Sequence, residues 1–444
     1  MNDNAEFVEV DVTVDPETIP TRELTGGKLG NIPEREEWFK DQAFGMFIHW
    51  GLDVMIGSVI SHWMIGADRS IVERFVREVP DWFNPRGFRA DDYALLAKQA
   101  GMKYMVFTAK HHSGFCMYDT GTTAFNVMNT PFGRDVAREF AEAFRRRGIA
   151  SGLYFSPLDF LWCHERGKTL HFATPDVLPA HNPELMDYNL RQVRELLANY
   201  GKQDVVFFDG PAERLKELVW ELQPEALVTR GEMKTPEQNM PGEAIAGAWE
   251  GCFTMGDGWS YKPTNETYKS GTRLIEMLIE IRAKGGNMLL NVTPGPSGAV
   301  PSEQERLLQE VGLFLFFNEE AVYKVRPWHV PREGGVWFTK AKDADTVYAF
   351  LTGQPWPYGE RRTVTLRSVR ATERTEAEIV GQSGVALEHR PDADTRTSWH
   401  QDENGLHIDA RLCYRPYDNR KWPNPIVIRI THALPAVLEE AGGV

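Results

Sequence analysis

Asp204-Val205-Val206-Phe207-Phe208-Asp209-Gly210 sets four consecutive apolar residues between two aspartates. An unbroken apolar run of this length reads as a strand covered on both faces, as strands of a parallel sheet are. Asp209 stands where such a strand ends, and a carboxylate at a buried edge costs free energy unless it has a partner or a task. The pattern recurs: Phe44-Gly45-Met46-Phe47-Ile48 runs into His49, and Tyr104-Met105-Val106-Phe107-Thr108 leads to His111-His112. Strands that repeatedly end in chemically capable residues predict the C-terminal rim of a (β/α)8 barrel.

Outward from these runs the chain alternates. Strand-like segments fall at 44–49, 103–109, 150–156, 204–209, 226–230 and 287–293, and helical patterns at 89–101, 135–148, 183–200, 213–223, 271–284 and 302–320. In the second helix Val136, Phe140, Ala143 and Phe144 form an apolar stripe, and Arg145-Arg146-Arg147 precede a terminating Gly148. A doubly wound nucleotide-binding sheet would carry a glycine-rich phosphate loop after its first strand, and none is present. From about residue 332 the texture changes to short strands between turns, at Gly335–Thr339, Thr346–Leu351, Thr363–Leu366 and Ile426–Ile430. The expectation is an N-terminal leader over 1–34, a (β/α)8 barrel over 35–330 and an antiparallel β-sandwich over 331–444.

The chain of 444 residues has room for a large domain and a smaller one. Its 49 Lys and Arg against 63 Asp and Glu give a net charge of −14, which argues against nucleic acid or an anionic membrane as main partner. No run approaches the ~18 apolar residues that a spanning helix needs. Cys116, Cys163, Cys252 and Cys413 are widely spaced and match no zinc-ligand pattern, so free thiols are expected. The N-terminal residues lack the basic and apolar regions of a signal peptide, and a cytoplasmic location is the expectation. Whether the chain self-associates as a homo-oligomer is left open.

A set of motifs carries a resemblance. Phe44-Gly45-Met46-Phe47-Ile48-His49-Trp50-Gly51, Ala109-Lys110-His111-His112-Ser113-Gly114-Phe115, Gly152-Leu153-Tyr154-Phe155-Ser156 and Phe208-Asp209-Gly210 resemble motifs of the glycoside hydrolase family 29 α-L-fucosidases. So do Thr235-Pro236-Glu237, Trp249-Glu250-Gly251-Cys252, Gly285-Gly286-Asn287-Met288-Leu289-Leu290-Asn291-Val292 and Arg326-Pro327-Trp328, all in the family's order.

The resemblance implies an exo-acting, retaining hydrolase that forms a covalent glycosyl-enzyme intermediate on a saccharide substrate, without a cofactor. Asp209 stands at the family's nucleophile, since an attacking group that must later leave again has to be a carboxylate. Glu237 matches the acid/base position, and Glu250 is its rival; retention asks for two carboxyl groups ~5–5.5 Å apart. His49, His111, His112 and Trp63 correspond to residues that grip sugar hydroxyls, a task that suits imidazoles because each both donates and accepts. Arg230 resembles an arginine beside the acid/base, at a shorter spacing from Glu237 here.

Metal chemistry is not expected. Metal-dependent barrel hydrolases present His-x-His on the first strand, whereas this chain has His49 alone, and adjacent His111 and His112 would point apart on a continuing strand.

Two departures bear on the sugar. His62-Trp63 stands where the family usually has Glu-Trp, and Ser113 where it has Asp. The expected apolar wall is Phe47, Tyr154, Phe207 and Trp259, with Phe207 in place of a common Trp, which would leave room for a hydroxymethyl group. The readings are therefore an α-L-fucosidase, the same fold acting on an α-L-galactoside or α-L-glucoside, or a catalytically silent carbohydrate-binding protein.

Overall fold

A computed structural model describes residues 29–172, 174–416 and 424–436. Most of the expected leader, residues 1–28, lies outside the described residues. Among those described, seven strands form one parallel sheet: β1 (Phe44–Ile48), β2 (Tyr104–Lys110), β3 (Ala150–Phe155), β4 (Val205–Phe208), β5 (Leu227–Val228), β6 (Glu250–Thr254) and β7 (Asn287–Val292). Their order across the sheet is β5-β4-β3-β2-β1-β7-β6. This is a curled (β/α)8-type sheet with one place between β5 and β6 lacking a regular strand. Residues there pair only at single points, Lys234 with Trp249 and Glu237 with Cys252.

The helices of the barrel region are α1 (Pro33–Lys40), α2 (Arg69–Glu78), α3 (Ala90–Gln99), α4 (Val136–Arg146), α5 (Phe160–Glu165), α6 (Pro183–Asn199), α7 (Leu215–Leu222), α8 (Gly271–Ala283) and α9 (Ser302–Val322). Their starts follow from capping chemistry. Asp135 accepts from Arg138 N at 3.0 Å to open α4, and Asn182, followed by Pro183, accepts from Leu185 N at 3.3 Å to open α6. The α4 stripe of Val136, Phe140, Ala143 and Phe144 is buried as the sequence predicts.

Every residue of β1, β2 and β4 is buried, and the two faces of each strand serve two different cores. Phe47, Tyr104, Val106, Tyr154, Val205, Phe207, Leu227, Cys252 and Leu289 pack together inside the barrel. Met46, Ile48, Met105, Phe107, Val206 and Phe208 pack outward against the helices. With a side-chain period of two, Val205 and Phe207 inside put Asp209 inside as well. Gly45 exists for this interior: a Cβ there would lie 2.4 Å from the Tyr104 ring.

The expected strand at 226–230 shortens to two residues, and β6, α1, α2 and α5 are elements the sequence reading did not mark. Beyond the barrel, β8 (Val325–Glu333), β9 (Val336–Ala341), β10 (Thr346–Leu351), β11 (Arg361–Leu366), β12 (Val369–Arg370), β13 (Ala377–Ile379), β14 (Ser398–Asp402), β15 (Gly405–Arg411), β16 (Ile426–Thr431) and β17 (Leu434–Pro435) form antiparallel sheets. The larger sheets run β13-β16-β10-β9-β8 and β11-β15-β14. Phe338, Val347 and Ile428 from one pack with Leu366, Leu406 and Ile408 from the other, the face-to-face core of a sandwich. Its first strand begins at Val325, and Arg326 there bonds Glu37 and Asp41 at the end of α1, at 2.6 and 2.8 Å.

Candidate active site

Asp209 follows β4 directly, its side chain 23% exposed into the mouth of the barrel. The turn beyond it needs Gly210, whose φ of +137° is a region L-residues rarely enter and where an added Cβ would meet Leu158 at 2.7 Å. Tyr154 on β3 donates to Asp209 Oδ2 at 2.5 Å, Arg230 Nη1 donates to Oδ1 at 2.9 Å, and His112 Nε2 lies 3.3 Å from Oδ2. Burial opposes ionisation of this carboxyl. The His112 hydrogen bond and the nearby positive charge of Arg230 overcome it, and the pKa sits well below the ordinary aspartate value.

Arg230 lies just past β5, with its guanidinium 4.9 Å over the Phe207 ring. Its second arm, Nη2, donates to Glu237 Oε2 at 2.6 Å. One guanidinium thus joins the carboxylates of Asp209 and Glu237, at a separation set by its own width. The loop carrying Glu237 is not a free solvated loop. Cys252 N donates to Pro236 O and Gln238 N to Cys252 O, both at 3.0 Å, so residues 236–238 lie along β6 where the eighth strand would be. The Glu237 side chain is 20% exposed.

Glu250, the alternative acid/base, is at the first residue of β6 and therefore at the opposite end of the barrel from Asp209. It is fully buried, Tyr104 donates to its Oε2 at 2.5 Å, and burial pushes its pKa up to about 7. The structure does not bring it to the pocket.

The histidines converge. His49 Nδ1 lies 2.7 Å from Asn291 Oδ1, His111 Nδ1 lies 2.8 Å from Ser61 Oγ, and His112 Nδ1 lies 2.5 Å from Ser156 Oγ. His111 also stacks on Tyr154, ring centroids 5.2 Å apart and 6° from parallel. His111 and His112 would diverge on a continuing strand, but the strand does not continue through them. β2 ends at Lys110, the chain turns through Gly114 at φ +86°, and the two rings lie 4.3 Å apart. Burial lowers the pKa of His49 to about 4 and that of His111 well below its ordinary value, so both are neutral acceptor–donor groups near pH 7. His111, His112 and Asp209 offer ligand atoms within 4.8 Å of one another, but Arg230 already supplies a cation to the same carboxylate, which disfavours a metal ion there.

His62 is exposed at the mouth, its ring centroid 6.2 Å from that of His111, 6.0 Å from His112 and 5.3 Å from Phe172. Desolvation and the neighbouring His112 lower its pKa. Trp63 is placed differently from the expectation: its indole N–H donates to Asp53 Oδ1 at 2.7 Å and its ring packs on Phe75, so its donor is committed inside the protein. Phe47 and Phe207 are each 1% exposed and form the floor of the pocket, while Trp259, with its ring 5.0 Å from that of His49, keeps open surface at the side.

Sequence reasoning missed the residues that aim these groups: Asn291 for His49, Ser61 for His111, Ser156 for His112, and Phe172 beside His62 and His112. Asp53 is another. It is buried, accepts from Ser61 N at 3.1 Å as well as from Trp63, and so fixes the loop that carries Ser61 and His62. A separate cavity of about 400 Å³, lined by Asp159, Trp162, Asp187 and Tyr188 among others, includes neither Asp209 nor Glu237.

Comparison with known proteins gives concordant results. The family profile described as alpha-L-fucosidase matches residues 28–320. The chain is 32% identical to mouse (Mus musculus) tissue alpha-L-fucosidase over 399 residues, covering 78% of this chain and 83% of that one. It resembles the solved structure of alpha-L-fucosidase isoenzyme 1 from Paenibacillus thiaminolyticus, with a TM-score of 0.72, 27% identity, and coverage of 90% of this chain and 98% of that one. The fold also matches a Bacteroides thetaiotaomicron alpha-L-fucosidase trapped as a covalent intermediate, with a TM-score of 0.73, 20% identity, and coverage of 93% and 99%.

Proposed function

This chain belongs to the α-L-fucosidase family of glycoside hydrolases, and within it we propose a retaining exo-α-L-fucosidase with Asp209 as nucleophile and Glu237 as acid/base. The observation that carries the assignment is Arg230, whose two terminal nitrogens reach Asp209 at 2.9 Å and Glu237 at 2.6 Å. A retaining mechanism needs two carboxyl groups close together, one to attack and one to handle the proton. The covalent intermediate trapped in the Bacteroides fucosidase is consistent with that chemistry on the same fold.

In the first step an oxygen of Asp209 bonds the anomeric carbon as the bond to the leaving oxygen breaks, and Glu237 gives that oxygen its proton. In the second, Glu237 takes a proton from water, the water oxygen bonds the anomeric carbon, and Asp209 is released as carboxylate. Asp209 is suited to attack because its low pKa keeps it ionised at working pH. Tyr154, at 2.5 Å from Oδ2, would orient the attacking carboxylate, and neutral His49 and His111 would bind hydroxyls without adding charge. Both carboxylates being in place argues against a silent sugar-binding protein. The test is proton NMR of the first-formed sugar from an aryl α-L-fucoside, which should appear as the α-anomer; a β-anomer would overturn the double displacement.

A second reading concerns the sugar. His62 puts an imidazole at the mouth where the family's carboxylate would stand, and this supports a shifted preference toward an α-L-galactoside or α-L-glucoside. Phe207 does not add to it, because its ring lies beneath Arg230 and is 1% exposed.

A further inference from the structure

The three-stranded sheet of the sandwich carries a group of side chains that the hydrolytic site does not use. His400 on β14 and His407 on β15 are direct cross-strand partners. Their rings lie 4.6 Å apart and 11° from parallel. Asp402, two residues beyond His400, projects from the same face of β14, and its Oδ1 is 2.8 Å from His407 Nε2. On the other side of β15, Thr365 pairs in register with His407, and its Oγ1 lies 3.0 Å from His407 Nδ1. The ligand atoms of His400, Asp402 and His407 all fall within 4.8 Å of one another.

The geometry points to a surface site for a borderline divalent cation of the Zn2+ type, held by His400, Asp402 and His407. The donor set, two imidazoles and one carboxylate, is the kind such ions take, and the sheet's exposed side leaves the remaining positions to water. Thr365 supplies the outer hydrogen bond that fixes the ring of a ligating histidine, leaving Nε2 for the ion. The backbone ladder between β14 and β15 prepositions the ligands, so little ordering is needed on binding. A cation here would clip β14, the edge strand of this sheet, to its neighbour.

The bland alternative is a solvated His–Asp pair with a stacked second ring, and calorimetry separates the two. The chelator-stripped full chain is titrated with Zn2+ alone at pH 7.5. The site predicts one bound Zn2+ per chain with a Kd below about 1 mM at pH 7.5. His400→Ala and His407→Ala should each weaken binding by ~10-fold or more, with fucoside hydrolysis unchanged. His400→Gln, which keeps side-chain bulk, serves if an alanine variant does not fold. Zn2+ binding weaker than that limit in the wild type, or binding by the folded variants equal to wild type, overturns the site.

Discussion

Asp209 and Glu237 are tied to opposite nitrogens of one guanidinium: Arg230 Nη1 reaches Asp209 Oδ1 at 2.9 Å and Nη2 reaches Glu237 Oε2 at 2.6 Å. Their spacing is therefore fixed by a planar, permanently charged group rather than by two independent loops. Lysine has a single donor head and cannot span both. Arg230→Lys should lower kcat/KM by roughly 10²–10³-fold, the loss expected when a buried charge network is broken. Steady-state kinetics on an aryl fucoside check this, and a loss under about threefold would remove Arg230 from the account.

The two candidate proton carriers differ in place. Glu237→Ala should lower kcat/KM by ~10²–10⁴-fold for substrates with poor leaving groups and spare kcat/KM for activated aryl groups, whose departure needs no acid, while slowing the hydrolysis of the glycosyl-enzyme for both. Glu250→Gln should leave kcat within about threefold for both, since Glu250 lies fully buried at the far end of the barrel. The opposite pattern would make Glu250 the acid/base.

Stability should respond to pH through two buried groups with opposite signs. The folded pKa of Glu250 is raised to about 7 from the ordinary value of 4.5, so its contribution is complete below pH 4.5 and is lost as pH rises through 7. The folded pKa of His49 is lowered to about 4 from 6.5, so its contribution is complete above pH 6.5 and is lost as pH falls toward 4. Linkage gives roughly 2–3 kcal/mol for Glu250 between pH 5 and 7.5, and about 2 kcal/mol in the other direction for His49. Urea unfolding at both pH values, on wild type, Glu250→Gln and His49→Gln, measures these slopes. Variants with the wild-type pH dependence would contradict the assigned burial.

His62 is the most direct probe of sugar choice. Restoring a carboxylate with His62→Glu should raise the ratio of α-L-fucoside to α-L-galactoside kcat/KM by ~10-fold or more, because a hydroxyl partner is regained. The readout is a panel of nitrophenyl α-L-glycosides. An unchanged ratio would mean that His62 does not contact the sugar.

What could be read from the chain follows from how far apart the deciding contacts lie. β1, β2 and β4 are visible because strands covered on both faces must be apolar throughout. β6 is not, since Glu250-Gly251-Cys252-Phe253-Thr254 mixes types and is defined as a strand by its pairing with β7 and, at Cys252, with the loop at 234–238. In the site, Asp209 shows itself as a charge at the end of a buried run. The groups that aim the histidines do not, because Asn291 is 242 residues from His49 and Ser61 is 50 from His111. The partner of Trp63 is hidden for a related reason: a buried acceptor at Asp53, ten positions earlier, takes its only donor. His111 and His112 converge because the strand stops at Lys110, and strand periodicity does not hold beyond it.

The central claim is that Asp209 forms the bond to the sugar, and the Asp209→Gly variant tests it most directly. Removing the carboxylate while leaving space beside the anomeric carbon should abolish turnover of an activated aryl α-L-fucoside. Added azide should then restore part of the rate and yield a β-configured glycosyl azide, the product of a single inverting displacement. A variant that retains wild-type activity, or that yields an azide product of retained configuration, would contradict Asp209 as the nucleophile.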